Sequence, residues 1–284
     1  MTTAVALALA SLCFAGLNDV VFKRYAARDR SRGMLVFGIG LVWLALQVLA
    51  MLGQGRTPRA DPATLGYGAA TGIILAASNI LLIEGLKHVE VSLGSTIYRL
   101  NTVGVALLSV LFLQETLTAA RAAGIGIAVL AVLLLVQRSR PAQGDSAALF
   151  VGAVVLASLL RAVYGVLSKA GLTAGADADT MILMAAGCWV VAGALYALLK
   201  EGRFRITGKK AAYALLSGLL VFLIVNTLIA AVARGEASVV IPIANLSFLA
   251  AMLLSVALGM ERLTGRKIVA VGCALAAIGL LSAP

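Results

Sequence analysis

The sequence predicts an all-α integral membrane protein in which ten transmembrane helices form two inverted five-helix repeats around a central cavity. Hydrophobic residues make up 62% of the 284 residues and charged residues only 12%, whereas soluble domains contain roughly 45–50% and about 25%. Apolar stretches long enough to cross a bilayer occur ten times. In addition, the two halves of the chain carry the same motif at one fixed spacing.

The ten apolar stretches are each close to the length of about 20 residues that a helix needs to cross roughly 30 Å of hydrocarbon. They lie near residues 3–22, 34–53, 64–86, 92–113, 119–136, 147–169, 180–199, 210–231, 238–258 and 266–282. The segments between them are short. We therefore expect a single transporter domain over residues 1–284, without a separate soluble domain.

A duplicated motif divides the chain into two halves. Residues 115–118 read Glu-Thr-Leu-Thr and residues 261–264 read Glu-Arg-Leu-Thr, 146 residues further on, and each motif precedes a glycine-containing apolar stretch. Because each half holds an odd number of stretches, the second copy would enter the bilayer from the opposite side. Transporters use such inverted repeats for alternating access. We predict internal repeats at 1–140 and 141–284.

The basic residues predict the orientation in the membrane. Sixteen lysines and arginines lie in loops after odd-numbered stretches, and five lie on the other side. The positive-inside rule places the first set in the cytoplasm and both termini outside. The net charge of +11 is spread over short loops, which is typical of anchoring to anionic lipid rather than of nucleic-acid binding. We expect a multi-pass protein of the bacterial inner membrane.

The residues that soluble enzymes and metal sites need are missing from the sequence. Cys13, Cys188 and Cys273 lie in separate apolar stretches, and His88 is the only histidine, so neither a disulfide framework nor a histidine-rich metal site is expected. The sequence contains no phosphate-binding loop, nucleophile elbow or HExxH pattern. We expect no enzymatic activity, no metal and no cofactor.

Four charged residues inside the predicted helices are candidates for a functional role, because a charge in hydrocarbon costs about 2.5–3.5 kcal/mol to insert. Arg99 and Arg161 lie near the middle of the fourth and sixth stretches, the depth at which inverted-repeat transporters bind substrate. Asp19 and Glu84 lie nearer the ends of the first and third stretches. A guanidinium group keeps its charge and matches the shape of a carboxylate or phosphate. Arg99 and Arg161 are therefore predicted to bind the acidic group of a substrate.

Neutral polar residues are predicted to complete this site. They are Tyr98, Asn101, Tyr164, Asn79, Asn226 and Asn245. Asn245 is the repeat counterpart of Arg99, so one side of the site would be cationic and the other neutral. Two alternatives stay open: Arg99 could form a structural ion pair with Glu84 or Asp19, and these carboxylates could couple transport to protons. Pro242 is expected to kink the ninth helix close to Asn245.

The ten stretches with their paired Glu-x-Leu-Thr motifs resemble the drug/metabolite transporter superfamily in its EamA-type ten-helix form, and the resemblance covers essentially the whole chain. It implies a central cavity lined by the first, third, fourth, sixth, eighth and ninth helices, and secondary transport, often export, of amino acids and related metabolites. Small multidrug-resistance proteins look like single modules of this kind and use a carboxylate in their first helix, for which Asp19 is the nearest match. Members often have both termini in the cytoplasm, opposite to the charge count.

The predicted function is secondary transport, with export as the expected direction, of small polar metabolites such as amino acids by alternating access. One alternative is a proton-coupled exporter of cationic drugs that uses Asp19 or Glu84. Alternatives of another class are a lipid flippase and a non-transporting membrane scaffold. The expected partners are a small-molecule substrate and membrane lipid, with protons added in the proton-coupled alternative. The chain is expected as a monomer or weak homodimer with no nucleic acid bound.

Overall fold

The computed structural model describes residues 2–26, 31–86, 97–134, 147–202, 204, 206–259 and 264–282. Within these ranges the chain forms helices and no β-strand. The helices are α1 (Thr2–Ala26), α2 (Arg32–Gly53), α3 (Pro62–Gly85), α4 (Asn101–Leu113), α5 (Ala119–Leu134), α6 (Ala147–Thr173), α7 (Ala178–Leu199), α8 (Gly208–Arg234), α9 (Ala237–Asn245), α10 (Phe248–Ala257) and α11 (Gly265–Ser282). Glu261 and the predicted repeat boundary at 140/141 lie outside the described residues.

Eight helical segments are long and apolar enough to cross a membrane: α1, α2, α3, α6, α7, α8, the α9–α10 segment and α11. Ile97–Leu113 and Ala119–Leu134 are shorter apolar helices. Large apolar side chains such as Leu111, Phe112 and Leu199 remain more than two-thirds exposed. An extended apolar surface of this kind is typical of helices that face lipid. The chain is a multi-pass membrane protein.

The helix contacts join the two halves of the chain and repeat between them. Helix α1 packs against α8 and α10, α2 against α7 and α8, α3 against α6 and α7, α4 against α6, and α5 against α11. The counterparts in the two halves are α1 and α6, α2 and α7, α3 and α8, α4 and α10, and α5 and α11. Exchanging the members of these five pairs leaves the contacts just named unchanged, as a two-repeat architecture requires.

Individual residues follow the same exchange. A Cβ added to Gly16 would overlap Ala250, and one added to Gly104 would lie 2.8 Å from the Cβ of Ala162. Ala162 and Ala250 are the counterparts of Gly16 and Gly104 at the spacing of 146 residues. The α1–α10 and α4–α6 crossings are therefore the same contact with glycine and alanine interchanged, and small residues let the helix backbones approach closely there.

The two tryptophans mark the point where α2 crosses α7. Trp43 and Trp189 are 146 residues apart, and their rings meet edge to face with centroids 5.9 Å apart. This is a favourable aromatic geometry. Two equivalent residues that contact each other must lie beside the axis that relates the repeats. The Trp43–Trp189 contact therefore marks one point on the pseudo-twofold axis.

The first Glu-x-Leu-Thr motif connects the halves at one end of the bundle. The carboxylate of Glu115 accepts hydrogen bonds from the backbone N–H groups of Ala237 (2.7 Å) and Ser238 (2.9 Å) and from the Ser238 hydroxyl (2.6 Å). The first N–H groups of a helix lack partners within the helix and favour negative charge. Glu115 therefore caps α9 from the other half of the chain.

The fourth and ninth predicted spans are interrupted at equivalent residues. The N–H of Leu100 bonds to the carbonyl three residues earlier (3.1 Å), and its own carbonyl accepts from three residues later (3.0 Å). Leu246, its counterpart, repeats both bonds at 3.1 and 2.9 Å. Such tight turns inside a helix often mark a functional hinge. Pro242 lies inside α9, but the first repeat is interrupted with Thr96 in that position, so proline is not required.

Candidate functional site

The residues that flank the two interruptions form hydrogen bonds with each other. Arg99 and Asn101 flank Leu100, and their counterparts Asn245 and Ser247 flank Leu246. Arg99 Nη1 donates to the Asn245 carbonyl (3.0 Å) and to Ser247 Oγ (3.3 Å). The sequence repeat thus places four polar residues from two interrupted helices in one cluster, with a guanidinium in one copy and an amide in the other.

The amide of Asn245 completes the connection between the repeats. Its Nδ2 donates to Asn101 Oδ1 (2.6 Å) and to Thr102 Oγ1 (3.1 Å). Asn101 Nδ2 donates in turn to the Tyr98 carbonyl (2.8 Å), next to the interruption at Leu100. Asn101 and Thr102 are buried, and their polar groups are satisfied by this network, as buried polar groups generally are.

Asp19 of α1 is the acidic partner of Arg99. Arg99 Nη2 lies 3.1 Å from Asp19 Oδ2, and the Ser247 hydroxyl lies 3.4 Å from the same oxygen. Helix α1 continues to Ala26 and not to residue 22, so Asp19 lies seven residues before the helix end rather than three. Of the two acids that the sequence offered to Arg99, the structure pairs it with Asp19, whereas Glu84 lies half-buried at the end of α3.

The ion pair stays partly accessible. The side chains of Asp19 and Arg99 expose 37% and 23% of their surface. A fully desolvated pair would lose several kcal/mol per ion in hydration and would be held mainly by its own geometry. The partial exposure shows that neither charge is fully enclosed by the protein.

Phe248 adds an apolar contact that the sequence did not suggest. The Arg99 Cζ lies 5.2 Å from the centroid of the Phe248 ring, within the range of a cation–π interaction. Ser247, Thr102 and Phe248 were all absent from the predicted site. The repeat offset identifies Ser247 as the counterpart of Asn101, so its membership could have been found; Phe248 carried no such signal.

Tyr98 attaches the cluster to α3 and α6. Its carbonyl accepts a hydrogen bond from Ser158 Oγ of α6 (3.2 Å). Its hydroxyl lies 3.5 Å from Ser78 Oγ of α3, and Ser78 donates to the Ala157 carbonyl (2.7 Å). Tyr98 is half-buried. Its position therefore depends on both neighbouring helices, and movement of either would move the residue before Arg99.

Arg161 lies on α6, one turn after Ser158. Its Cζ is 5.1 Å from the centroid of the Tyr164 ring, and Tyr164 is 4% exposed. Among the described residues no carboxylate forms an ion pair with Arg161. Arg161 is half-buried and contacts the aromatic face of Tyr164. The structure shows no hydrogen bond between Arg161 and the Arg99 cluster within these residues.

The two other asparagines of the predicted site, Asn79 and Asn226, form hydrogen bonds elsewhere. Asn79 Nδ2 donates to the carbonyl of Leu75 one turn back (2.8 Å). Asn226 donates to the Phe222 carbonyl (2.8 Å) and to Gln47 Oε1 of α2 (3.0 Å). Bonds of this kind satisfy a polar side chain on its own helix or connect neighbouring helices. No bond in the described part of the chain joins either residue to Arg99.

Comparison with known proteins agrees with the repeat and the helical architecture. The sequence pattern of the EamA-like transporter family matches residues 2–137 and again residues 148–283. A solved crystal structure, described only as that of a protein, superposes with a TM-score of 0.88 at 15% identity and covers 99% of this chain and 97% of its own, which shows a shared fold. Comparison with curated proteins gives no match. Two family matches that together span nearly the whole sequence place this chain in the EamA-like transporter family.

Proposed function

We propose that this membrane transporter moves small polar metabolites, amino acids first among them, by alternating access, and that the Asp19–Arg99 pair is where they bind. Family membership gives the class of membrane transporter. The observation that carries the proposal is a partly exposed ion pair at the crossing of two interrupted helices. Transporters with inverted repeats hold substrate at discontinuous helices near the bilayer midplane.

The pair offers complementary groups to a zwitterion. The substrate carboxylate takes the place of Asp19 on the Arg99 fork, and the substrate ammonium group binds the Asp19 carboxylate that is released. Both exchanges replace one charge-assisted hydrogen bond by another, so the cost of separating the protein's own charges is offset. Phe248 and the neutral Asn245 side of the cluster border the same position.

Ten membrane crossings and an inverted relation of the two halves belong to the same proposal. The ten crossings are the eight long segments together with Ile97–Leu113 and Ala119–Leu134. In this arrangement each interruption is a hinge, and tilting one half against the other opens a central cavity to either side. We further propose export across the bacterial inner membrane, with the more basic loops in the cytoplasm and both termini outside.

A second candidate is proton-coupled export of cationic drugs. It is favoured by the larger exposure of Asp19, at 37% against 23% for Arg99. In this candidate a cation binds Asp19 directly, protons compete for the same carboxylate, and Glu84 is a further coupling group. The two candidates differ in the role of Arg99, which holds the substrate in the first and is only a counter-ion in the second.

Transport in liposomes distinguishes the candidates. The panel contains amino acids, organic acids, cationic dyes and a labelled lipid, with and without a pH gradient, and the variants are Arg99→Gln and Asp19→Asn. Arg59→Gln is the matched control, because Arg59 is exposed in the loop before α3. We expect amino-acid transport to fall at least about tenfold in both site variants, the equivalent of one lost charge-assisted bond.

Other outcomes point elsewhere. Dye transport that survives Arg99→Gln but not Asp19→Asn supports the cationic exporter. Movement of the labelled lipid alone supports a flippase, and a panel in which nothing moves supports a scaffold. Amino-acid transport that is unchanged in Arg99→Gln contradicts the proposed site.

A further inference from the structure

A second cationic site lies away from the Asp19–Arg99 pair, at one end of the bundle. At this end α4, α6 and α8 finish and α5, α7 and α9 begin, and we call it the Arg121 face. A cavity of about 310 Å³ opens here between the start of α1, the end of α6 and the segment that joins α8 to α9. None of its lining residues belongs to the Arg99 cluster.

The basic residues of this face converge on the cavity. Only five lysines and arginines lie on this side of the predicted membrane, and three of them, Arg121, Lys169 and Arg234, line it. Glu236 is the acidic lining residue, which leaves a formal charge of +2. Charges that only anchor loops to lipid would be dispersed, whereas these three meet at one partly enclosed site with apolar walls from α1 and α9.

Arg121 is buried and incompletely bonded. It is 6% exposed. Its Nη2 donates to Glu236 Oε1 (3.1 Å), and its Nη1 donates to Glu236 Oε2 and to the Thr116 carbonyl (2.8 Å). In the described part of the chain, its Nε is buried without a hydrogen-bond partner. A buried donor without a partner is unfavourable, so Glu236 and the Thr116 carbonyl satisfy only part of the Arg121 guanidinium.

Lys169 and Arg234 supply the charge that Glu236 does not neutralise. Lys169 Nζ donates to the carbonyls of Val232 (2.9 Å) and Gly235 (2.8 Å), which uses two of the three protons of an ammonium group. Arg234 is exposed, and its Nη1 donates to the Ala230 carbonyl (2.9 Å). Within the described residues its other donors make no hydrogen bond, and Arg234 lines the edge of the cavity.

We infer that this cavity binds a small oxyanion, a carboxylate or a phosphate. The anion would accept from the third proton of Lys169 and from Arg234, with Arg121 contributing charge from behind. A volume of about 310 Å³ is at the small end of the range of ligand sites. The same chemistry is found in a free anion and in the headgroup of an anionic lipid. The inference does not depend on the substrate bound at Arg99.

Thermal unfolding in a titration with sodium phosphate tests the site. The purified full-length chain is held in an uncharged detergent at constant ionic strength, with sodium chloride as the balance. Because phosphate stabilises proteins in general by exclusion from their surface, the criterion is a saturable rise in the unfolding temperature, as ligand binding produces. We expect saturation in the wild type and at least about a tenfold weaker apparent affinity in Lys169→Gln and Arg234→Gln.

The control is Arg59→Gln, which removes one charge from the same face and lies outside the cavity. It should keep the wild-type affinity. Arg234→Gln protects the test against misfolding, since Arg234 is exposed whereas Lys169 also holds the end of α8. No saturable rise in the wild type, or equal affinities in the wild type and Arg234→Gln, would overturn the inference.

Two lipid environments identify the source of the anion. The phosphate titration is repeated in nanodiscs of phosphatidylcholine and in nanodiscs that contain phosphatidylglycerol. Phosphate binding that is lost only in the anionic discs assigns the cavity to a lipid headgroup. Equal binding in both assigns it to a free anion. Both results support an oxyanion site, and absence of binding in both contradicts it.

Discussion

Replacing Glu115 by alanine should destabilise the protein because this carboxylate caps a helix of the other half. It accepts three hydrogen bonds at the start of α9, at 2.7, 2.9 and 2.6 Å. Losing a helix cap costs about 0.5–2 kcal/mol, and losing the negative charge at the helix start costs roughly 0.3–1 kcal/mol more. Since Glu115 is half-buried and water replaces part of these bonds, we expect a loss of about 2 kcal/mol in the free energy of unfolding.

Reversible unfolding in mixed micelles with increasing SDS measures this change. Ser238→Ala removes one of the three donors, so it should cost less and should not add fully to Glu115→Ala in the double variant, because the two residues share a bond. Thr116→Ala is the matched control, as Thr116 is the exposed neighbour of Glu115. A loss of less than about 0.5 kcal/mol, the range of ordinary surface substitutions, would refute the capping role.

Two further predictions concern the repeat contacts and the pH dependence of a cap. Gly104→Ala should cost about 1–3 kcal/mol of stability, because the new Cβ would lie 2.8 Å from the Cβ of Ala162. Adding Ala162→Gly should recover most of this loss. The control Gly126→Ala, whose Cβ would meet nothing within 4 Å, should cost nothing in the same SDS unfolding. Hydrogen bonds from Thr64 lower the pKa of Asp61 at the start of α3. The stabilisation from this cap is therefore present above the ordinary aspartate pKa and is lost as the pH falls through the lowered pKa of Asp61. Asp61→Asn should flatten this part of a curve of stability against pH.

The class and the repeat could be predicted because they depend on composition and spacing. Apolar content alone requires a membrane environment, and one spacing of 146 residues relates the Glu-x-Leu-Thr motifs. The same spacing relates Trp43 to Trp189, which meet in the structure. Equivalent residues in a repeat have equivalent surroundings, so a spacing that is visible in the sequence carries over to the contacts.

The interruption at Leu100 had no such signal. Only the second repeat has a proline nearby, at Pro242, and the first is interrupted without one. The residues around Leu100 make tertiary bonds: Arg99 donates to the Asn245 carbonyl, and Asn101 accepts from the Asn245 amide. Local sequence cannot show bonds that depend on how the two halves cross.

The partner of Arg99 was left open for a related reason. The first stretch was predicted to end at residue 22, but Lys23 and Arg24 form the last turn of α1, where basic residues favour the helix dipole and extend toward the interface. Asp19 pairs with Arg99 through a contact between α1 and the fourth span that no local pattern shows. Asn79 was grouped with the site by its polarity alone, although its amide bonds to its own helix. Polarity does not reveal which side of a helix faces the neighbouring helices.

Binding of an amino acid and its singly charged analogues tests the central claim most directly. Calorimetry on the purified protein compares the amino acid that is transported fastest with its amide, which lacks the carboxylate, and with its N-acetyl form, which lacks the ammonium group. If a zwitterion opens the Asp19–Arg99 pair, each analogue should bind at least about tenfold more weakly than the amino acid. Arg99→Gln should remove the preference for the amino acid over its amide. Asp19→Asn should remove the preference for the amino acid over its N-acetyl form. Equal affinity for all three ligands in the wild type would contradict the account.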